Sequence, residues 1–187
     1  MSKRGWTADQ HLGSDEVIKY CDRPFRDAAH MNKRLIDGAN SRVKPDDTGV
    51  VVGDFCWKSG PSRFRAYRQQ LQGNWVFLKG NHDSNNGVKT VGSSMFTRIS
   101  HFNVFVNHIP YFYKDWFDAD LIAYVEKSCD FAICGHVHEK WKSFYKEESV
   151  YGYANIPTIN VGVDQWNYMP VMDDELANYF IKLRNKR

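Results

Sequence analysis

The chain has 187 residues, 42% hydrophobic and 25% charged, a balance typical of a globular protein that can bury roughly 70% of its unfolded surface. This argues against a disordered or collagen-like chain, and the lack of any apolar run near 18 residues argues against a membrane-spanning helix. A formal net charge of +3, with no long run of either sign, is low for binding extended nucleic acid through counterion release.

The elements alternate along the chain. Trp6 to Ala8 reads as a brief strand ending at Asp9, with Gly5 expected to weaken its pairing. From Asp27 to Arg42, Met31, Leu35 and Ala39 recur every fourth residue, predicting an amphipathic helix that Lys44-Pro45-Asp46-Asp47 breaks. Gly49 to Gly53 is short and β-branched, a buried strand. Pro61 to Leu71 reads as helix, Trp75 to Leu78 as strand, and His101 to Val106 as strand. Asp118 to Lys127 reads as helix and Phe131 to Cys134 as strand. Tyr151 to Val163 is expected to hold two strands kinked at Pro157. Glu175 to Leu183 closes the chain as a helix. The alternation predicts an α/β layered fold in one domain covering residues 1–187.

The four cysteines, Cys21, Cys56, Cys129 and Cys134, form no C-x-x-C pair, and no apolar leader follows Met1. Both features fit reduced thiols in a cytoplasmic protein.

Polar, metal-capable residues recur just past the strand ends: Asp9-Gln10-His11, Gly53-Asp54, Gly80-Asn81-His82-Asp83, Asn107-His108 and Gly135-His136-Val137-His138. Ligands of open α/β sheets bind outside the carboxyl ends of the strands, so these clusters are expected to meet at one sheet edge. In an extended segment residues i and i+2 share a face, which would aim Asp9 with His11, and His136 with His138, into a shared site. Taken singly, each motif has a plainer reading. Asp9-x-His11 suits a surface turn, Asp54 a helix cap, His108 a strand end and Asn81-His82-Asp83 a solvated turn. Their order at successive strand exits favours a common metal site. Imidazole with carboxylate suits Mn²⁺, Fe²⁺, Zn²⁺ or Ni²⁺ without choosing among them. Arg23 and Lys79 are candidate phosphate contacts or solvated charges. Tyr168 and Trp166 are candidate base-stacking residues or a packed aromatic cluster. His30 and His101 have no ligand company.

The ordered set D-x-H, G-D, G-N-H-D, a lone H and G-H-x-H resembles the calcineurin-like metallophosphoesterase superfamily, from about Trp6 to Val171. Tyr20-Cys21-Asp22-Arg23-Pro24-Phe25 and the run from Asn160 to Tyr168 further resemble its small, single-domain bacterial and phage members. The resemblance implies a four-layer α/β/β/α sandwich and a dinuclear metal centre. Asp9, His11, Asp54 and His138 would hold one divalent ion, with Asp54 bridging to a second held by Asn81, His108 and His136. His82 would give a proton to the leaving oxygen, with Asp83 orienting it. Apart from this carry-over, Arg23 and Tyr168 are the substrate-binding candidates by residue type. Ser14 stands where many relatives carry His, which puts a pocket contact in doubt. The absence of D-R-G after Asp54 counts against a protein phosphatase. The implied activity is hydrolysis of small phosphate esters, nucleotides among them. A nuclease and a non-catalytic scaffold are the alternatives.

Overall fold

A computed structural model describes residues 2–58, 60–146 and 148–185. In chain order the main elements are β1 (Arg4–Thr7), α1 (Asp15–Tyr20), α2 (Ala28–Arg42), β2 (Thr48–Val52), α3 (Gly60–Gln69), β3 (Asn74–Leu78), β4 (Ser94–Ile99) and β5 (Phe102–Asn107). They continue with α4 (Ala119–Ser128), β6 (Phe131–Cys134), β7 (Ser143–Phe144), β8 (Glu148–Ser149), β9 (Gly152–Tyr153), β10 (Thr158–Asn160), β11 (Val171–Met172) and α5 (Asp173–Asn185).

These strands form a four-stranded sheet, β11-β1-β2-β3, a five-stranded sheet, β4-β5-β6-β10-β7, and the small pair β8-β9. Strands β1, β2 and β3 run parallel, as do β5, β6 and β10. Side chains alternate as a pleat requires. Val50 and Val52 face Val104, Val106 and Ile133 in the core between the sheets, closed at one side by Leu176 and Phe180 of α5. Val51 and Phe77 turn the other way, onto Val17, Met31, Leu35 and Phe64 of the first three helices. Phe105 and Ala132 face Val125 of α4 on the far side. The result is the expected four-layer α/β/β/α sandwich, although the strands that present the site belong to two sheets rather than one.

Helix α2 starts where Asp27 accepts a hydrogen bond from the His30 amide and buries Met31, Leu35 and Ala39 on one stripe. Helix α1 has only six residues, and its start is fixed by Ser14, whose hydroxyl accepts from the Val17 amide. Gly5 does not weaken β1. The strand pairs on both sides, with β2 and β11, and a Cβ at residue 5 would lie 3.1 Å from Val43 and 3.2 Å from the Met172 sulfur. Glycine is there for close packing. The four cysteines are buried, and none forms a disulfide among the described residues. Among the described residues no helix is long and apolar enough to cross a membrane.

Candidate metal centre

Each motif residue lies just beyond the carboxyl end of a strand: Asp9 and His11 after β1, Asp54 after β2, Asn81 and His82 after β3, His108 after β5, and His136 and His138 after β6. The exits of both sheets meet at one end of the sandwich. Convergence does not come from extended i, i+2 geometry. Asp9, His11, Asp54, His136 and His138 all have left-handed backbones, with φ of 58°, 47°, 56°, 71° and 48°. Side chains with a Cβ adopt that region at a cost of order 1–2 kcal/mol each, and such clusters gather at functional sites. Backbone hydrogen bonds hold the turns: Asp9 N–H donates to the Gly53 carbonyl (3.1 Å) and His11 N–H to that of Asp54 (3.0 Å). Gly80 and Gly135 are required by close approach. A Cβ at 135 would lie 2.6 Å from an Asp9 carboxylate oxygen, and one at 80 would overlap the Asp54 carboxylate.

The Asp54 carboxylate is central. Its Oδ2 lies 3.3 Å from His108 Nε2, 3.7 Å from His11 Nε2 and 4.0 Å from His82 Nε2. Asp9 Oδ1 lies 3.8 Å from His138 Nε2 and 3.9 Å from His108 Nε2. The Asn81 side-chain oxygen faces His108 Nε2 at 3.0 Å and His136 Nδ1 at 3.1 Å. Among the described residues three groups have ligand atoms all within 4.8 Å of one another: Asp9, His11 and His138; Asp9, Asp54 and His108; and Cys21, His138 and Glu139. The structure thus brings together all the candidate ligands, with Asp9 common to the first two groups.

The electrostatics fit a cation. Burial pushes the His11 imidazole down to about 3 and, with the His108 charge, that of His136 down to about 4. Both are neutral and ready to ligate. At His108 burial opposes charge, but the Asp54 hydrogen bond and the Asp9 and Asp54 carboxylates outweigh it and raise the group to about 9. Burial likewise works against the Asp54 carboxylate, yet His108 and His11 hold it well below its usual range. His11 Nε2 is buried with no hydrogen-bond partner. A buried polar atom without a partner is costly, and a metal ion among Asp9, Asp54 and these imidazoles would satisfy it. The donor set of imidazole, carboxylate and amide oxygen suits a borderline divalent ion.

Other candidates sit differently from expectation. The Asp83 carboxylate does not orient the His82 ring. It accepts from the amides of Gly80 (2.7 Å), Asp54 (2.8 Å) and Phe55 (3.1 Å), tying the exits of β2 and β3 together. The His82 ring, 40% exposed, reaches the cavity beside Asp54. Arg23 is neither a phosphate contact nor a solvated charge. Its side chain is wholly buried against Asp164, and the Asp164 carboxylate, the Asp9 and Gln10 carbonyls and the Met31 sulfur take its donors, leaving none for substrate. Tyr168 packs edge-on against Phe25, ring centroids 4.7 Å apart, and Trp166 against Tyr179, so both belong to aromatic packing. Lys79 and His101 are exposed and His30 is half-buried. The residues the motifs did not reveal line the cavity instead. Tyr20, Val17 and Glu16 of α1, with Trp57 and Lys140, surround a space of about 410 Å³ over the ligands. The Trp57 ring stands 4.7 Å from that of His82, and Ser14 also reaches this wall.

No protein-family model matches the chain. Over 77 residues it is 38% identical to an uncharacterised protein of Methanocaldococcus jannaschii, and the match spans 41% of this chain and 44% of that relative's length. Among solved structures, the protein of unknown function AQ665 from Aquifex aeolicus shares the fold, with a TM-score of 0.69 at 19% identity over 96% of this chain and 100% of that one. A structure described as a novel archaeal phosphodiesterase superposes more loosely, with a TM-score of 0.43 at 17% identity over 86% of this chain and 83% of that one. The likeness to AQ665 shows a shared fold over nearly the whole chain.

Proposed function

We propose that this chain is a metal-dependent phosphohydrolase of the calcineurin-like metallophosphoesterase type, acting on small phosphate esters. The observation that supports it most is the convergence of Asp9, His11, Asp54, Asn81, His108, His136 and His138 at one end of the sandwich, with His11 Nε2 buried and unpartnered. Asp9, His11, Asp54 and His138 would hold one divalent ion, and Asp54, Asn81, His108 and His136 a second. Two such ions would supply a nucleophilic hydroxide at neutral pH and would neutralise charge on the phosphate. Set against two carboxylates, they would leave the floor of the cavity positive while the chain as a whole stays near neutral.

The chain's own residues do the rest. His108 is fixed for ligation because its Nδ1 lies 2.8 Å from the Val52 carbonyl, which directs Nε2 to Asp54 and Asn81. The second hydrogen bond of a ligating imidazole sets its tautomer in this way. His82, held at its backbone by an N–H donated to Asp54 Oδ1 (3.0 Å), carries its ring at the cavity edge, where it would give a proton to the departing oxygen. Tyr20, Val17 and Trp57 would cover a flat, apolar substituent such as a nucleobase. The experiment is a panel of mononucleotides, cyclic nucleotides, dinucleotides and single-stranded DNA offered to the Mn²⁺-loaded protein. Hydrolysis of the small molecules supports the reading, degradation of DNA chains alone would make it a nuclease, and no turnover at all would leave a non-catalytic fold.

A further inference from the structure

The two segments that single out the small bacterial and phage members, 20–25 and 160–168, have no part in the ligand set, yet they meet beneath it. Arg23 Nε donates to Asp164 Oδ1 at 2.7 Å and Nη2 to Oδ2 at 2.8 Å, with side-chain exposures of 0% and 2%. The same guanidinium donates to the carbonyls of Asp9 (2.7 Å) and Gln10 (3.1 Å). On its other side Asp164 Oδ2 lies 3.4 Å from His138 Nδ1. Asn160 and Gln165 flank it, each donating a side-chain N–H to the His138 carbonyl, at 2.8 and 3.0 Å.

A fully buried ion pair is poor evidence of stabilisation, since desolvating both charges offsets their attraction. This one touches two residues in strained left-handed conformations, Asp9 and His138. His138 Nδ1 lies between Asp164 Oδ2 at 3.4 Å and the Cys21 sulfur at 3.3 Å, while its Nε2 faces Asp9 Oδ1 at 3.8 Å. Arg23 holds the Asp9 backbone from below. Asn81, His108 and His136 have other supports, and neither side chain of the pair bonds to them.

We propose that Asp164, held in place by Arg23, is a positioning residue for one of the two metals, the ion that Asp9, His11, Asp54 and His138 would hold, and that by acting through His138 it sets the affinity of that ion without setting that of the second. The inference rests on the dinuclear reading given above. Mn²⁺ titration followed by calorimetry and by electron paramagnetic resonance, on metal-free wild type and Asp164→Asn, tests it. Wild type binds two ions. In Asp164→Asn one ion weakens by about 10–100-fold, the usual effect of losing a group that orients a ligand, and the other stays within about twofold. Excess Mn²⁺ then restores turnover. Equal affinities in variant and wild type, or equal weakening of both ions in a variant that still unfolds cooperatively, would overturn the proposal. Fewer than two ions in wild type would overturn the dinuclear reading itself, and the proposal with it. Should Asp164→Asn not fold, Arg23→Lys, which keeps the charge but loses the two-pronged contact, carries the same expectation and is judged by the same outcomes.

Discussion

Two ion pairs join the first strand region to the C-terminal part of the chain, one at each end of β1. At the carboxyl end Arg23 and Asp164 are buried to 0% and 2% exposure beside left-handed Asp9. At the amino end Arg4 and Asp173 remain 23% and 34% exposed. There Asp173 accepts from Arg4 Nε at 3.2 Å and from the indole N–H of wholly buried Trp6 at 2.6 Å. The chemistry is the same in both places, but the neighbours differ. The outer pair caps a core tryptophan and fastens α5 to β1. The inner pair also reaches the buried Met31 sulfur at 3.5 Å, but its other polar contacts lead to candidate ligands. The buried pair therefore lies at the candidate-site end of this sandwich, and the exposed pair at the opposite end.

That contrast can be broken from either side. The largest effect is expected from Asp54→Asn, which removes the carboxylate facing His11, His82 and His108. Metal content by mass spectrometry and turnover of a chromogenic phosphodiester should be lost together, and retention of both would break the assignment. Next, His82→Ala should keep its metals and slow turnover by about 10²–10⁴, the usual size of a general-acid contribution. Loss of metal instead would move His82 into the ligand set. At the opposite end Asp173→Ala leaves the Trp6 indole without its acceptor and should lower unfolding stability by about 1–3 kcal/mol, measured in urea. Its metal content and kcat should be unchanged, and a fall in metal content would erase the distinction between the two ends.

The motifs made much of this legible. Polar clusters at strand exits, three of them led by glycine, marked every candidate ligand, and the four-residue repeat of Met31, Leu35 and Ala39 marked α2. What stayed hidden depended on tertiary partners. Strand β4 alternates weakly because Ser94, Phe96 and Arg98 face solvent at a sheet edge. Strands β7 and β11 have two residues each, and pairing with β10 and β1 defines them. Asp164 also follows a strand exit, that of β10, but it stands four residues beyond Asn160 with no glycine-histidine signature. Arg23 looked like a phosphate contact because nothing in its local sequence shows that Asp164, 141 residues away, takes its fork. The family resemblance implied that Asp83 orients His82, a role its local sequence could not test, and three backbone amides claim its carboxylate instead.

The smallest expected effect is one of pH. His108 is raised to about 9, so the protonated form is favoured in the folded chain. A raised imidazole contributes its stability fully below the unfolded value near 6.5 and loses it as pH climbs through 9. Thermal unfolding of the metal-free protein should accordingly show declining stability from about pH 6.5 to 9, while Mn²⁺ affinity rises over the same range because the ion displaces that proton. Stability rising across this interval would contradict the electrostatic arrangement at Asp54.

The most direct test of the central claim is hydrolysis of bis(p-nitrophenyl) phosphate by the protein as purified, after chelation and after reloading with Mn²⁺. Turnover is expected to disappear on chelation and to return once two ions are bound. Turnover that survives complete removal of metal, or a protein that binds two ions and hydrolyses no phosphate ester, would contradict it.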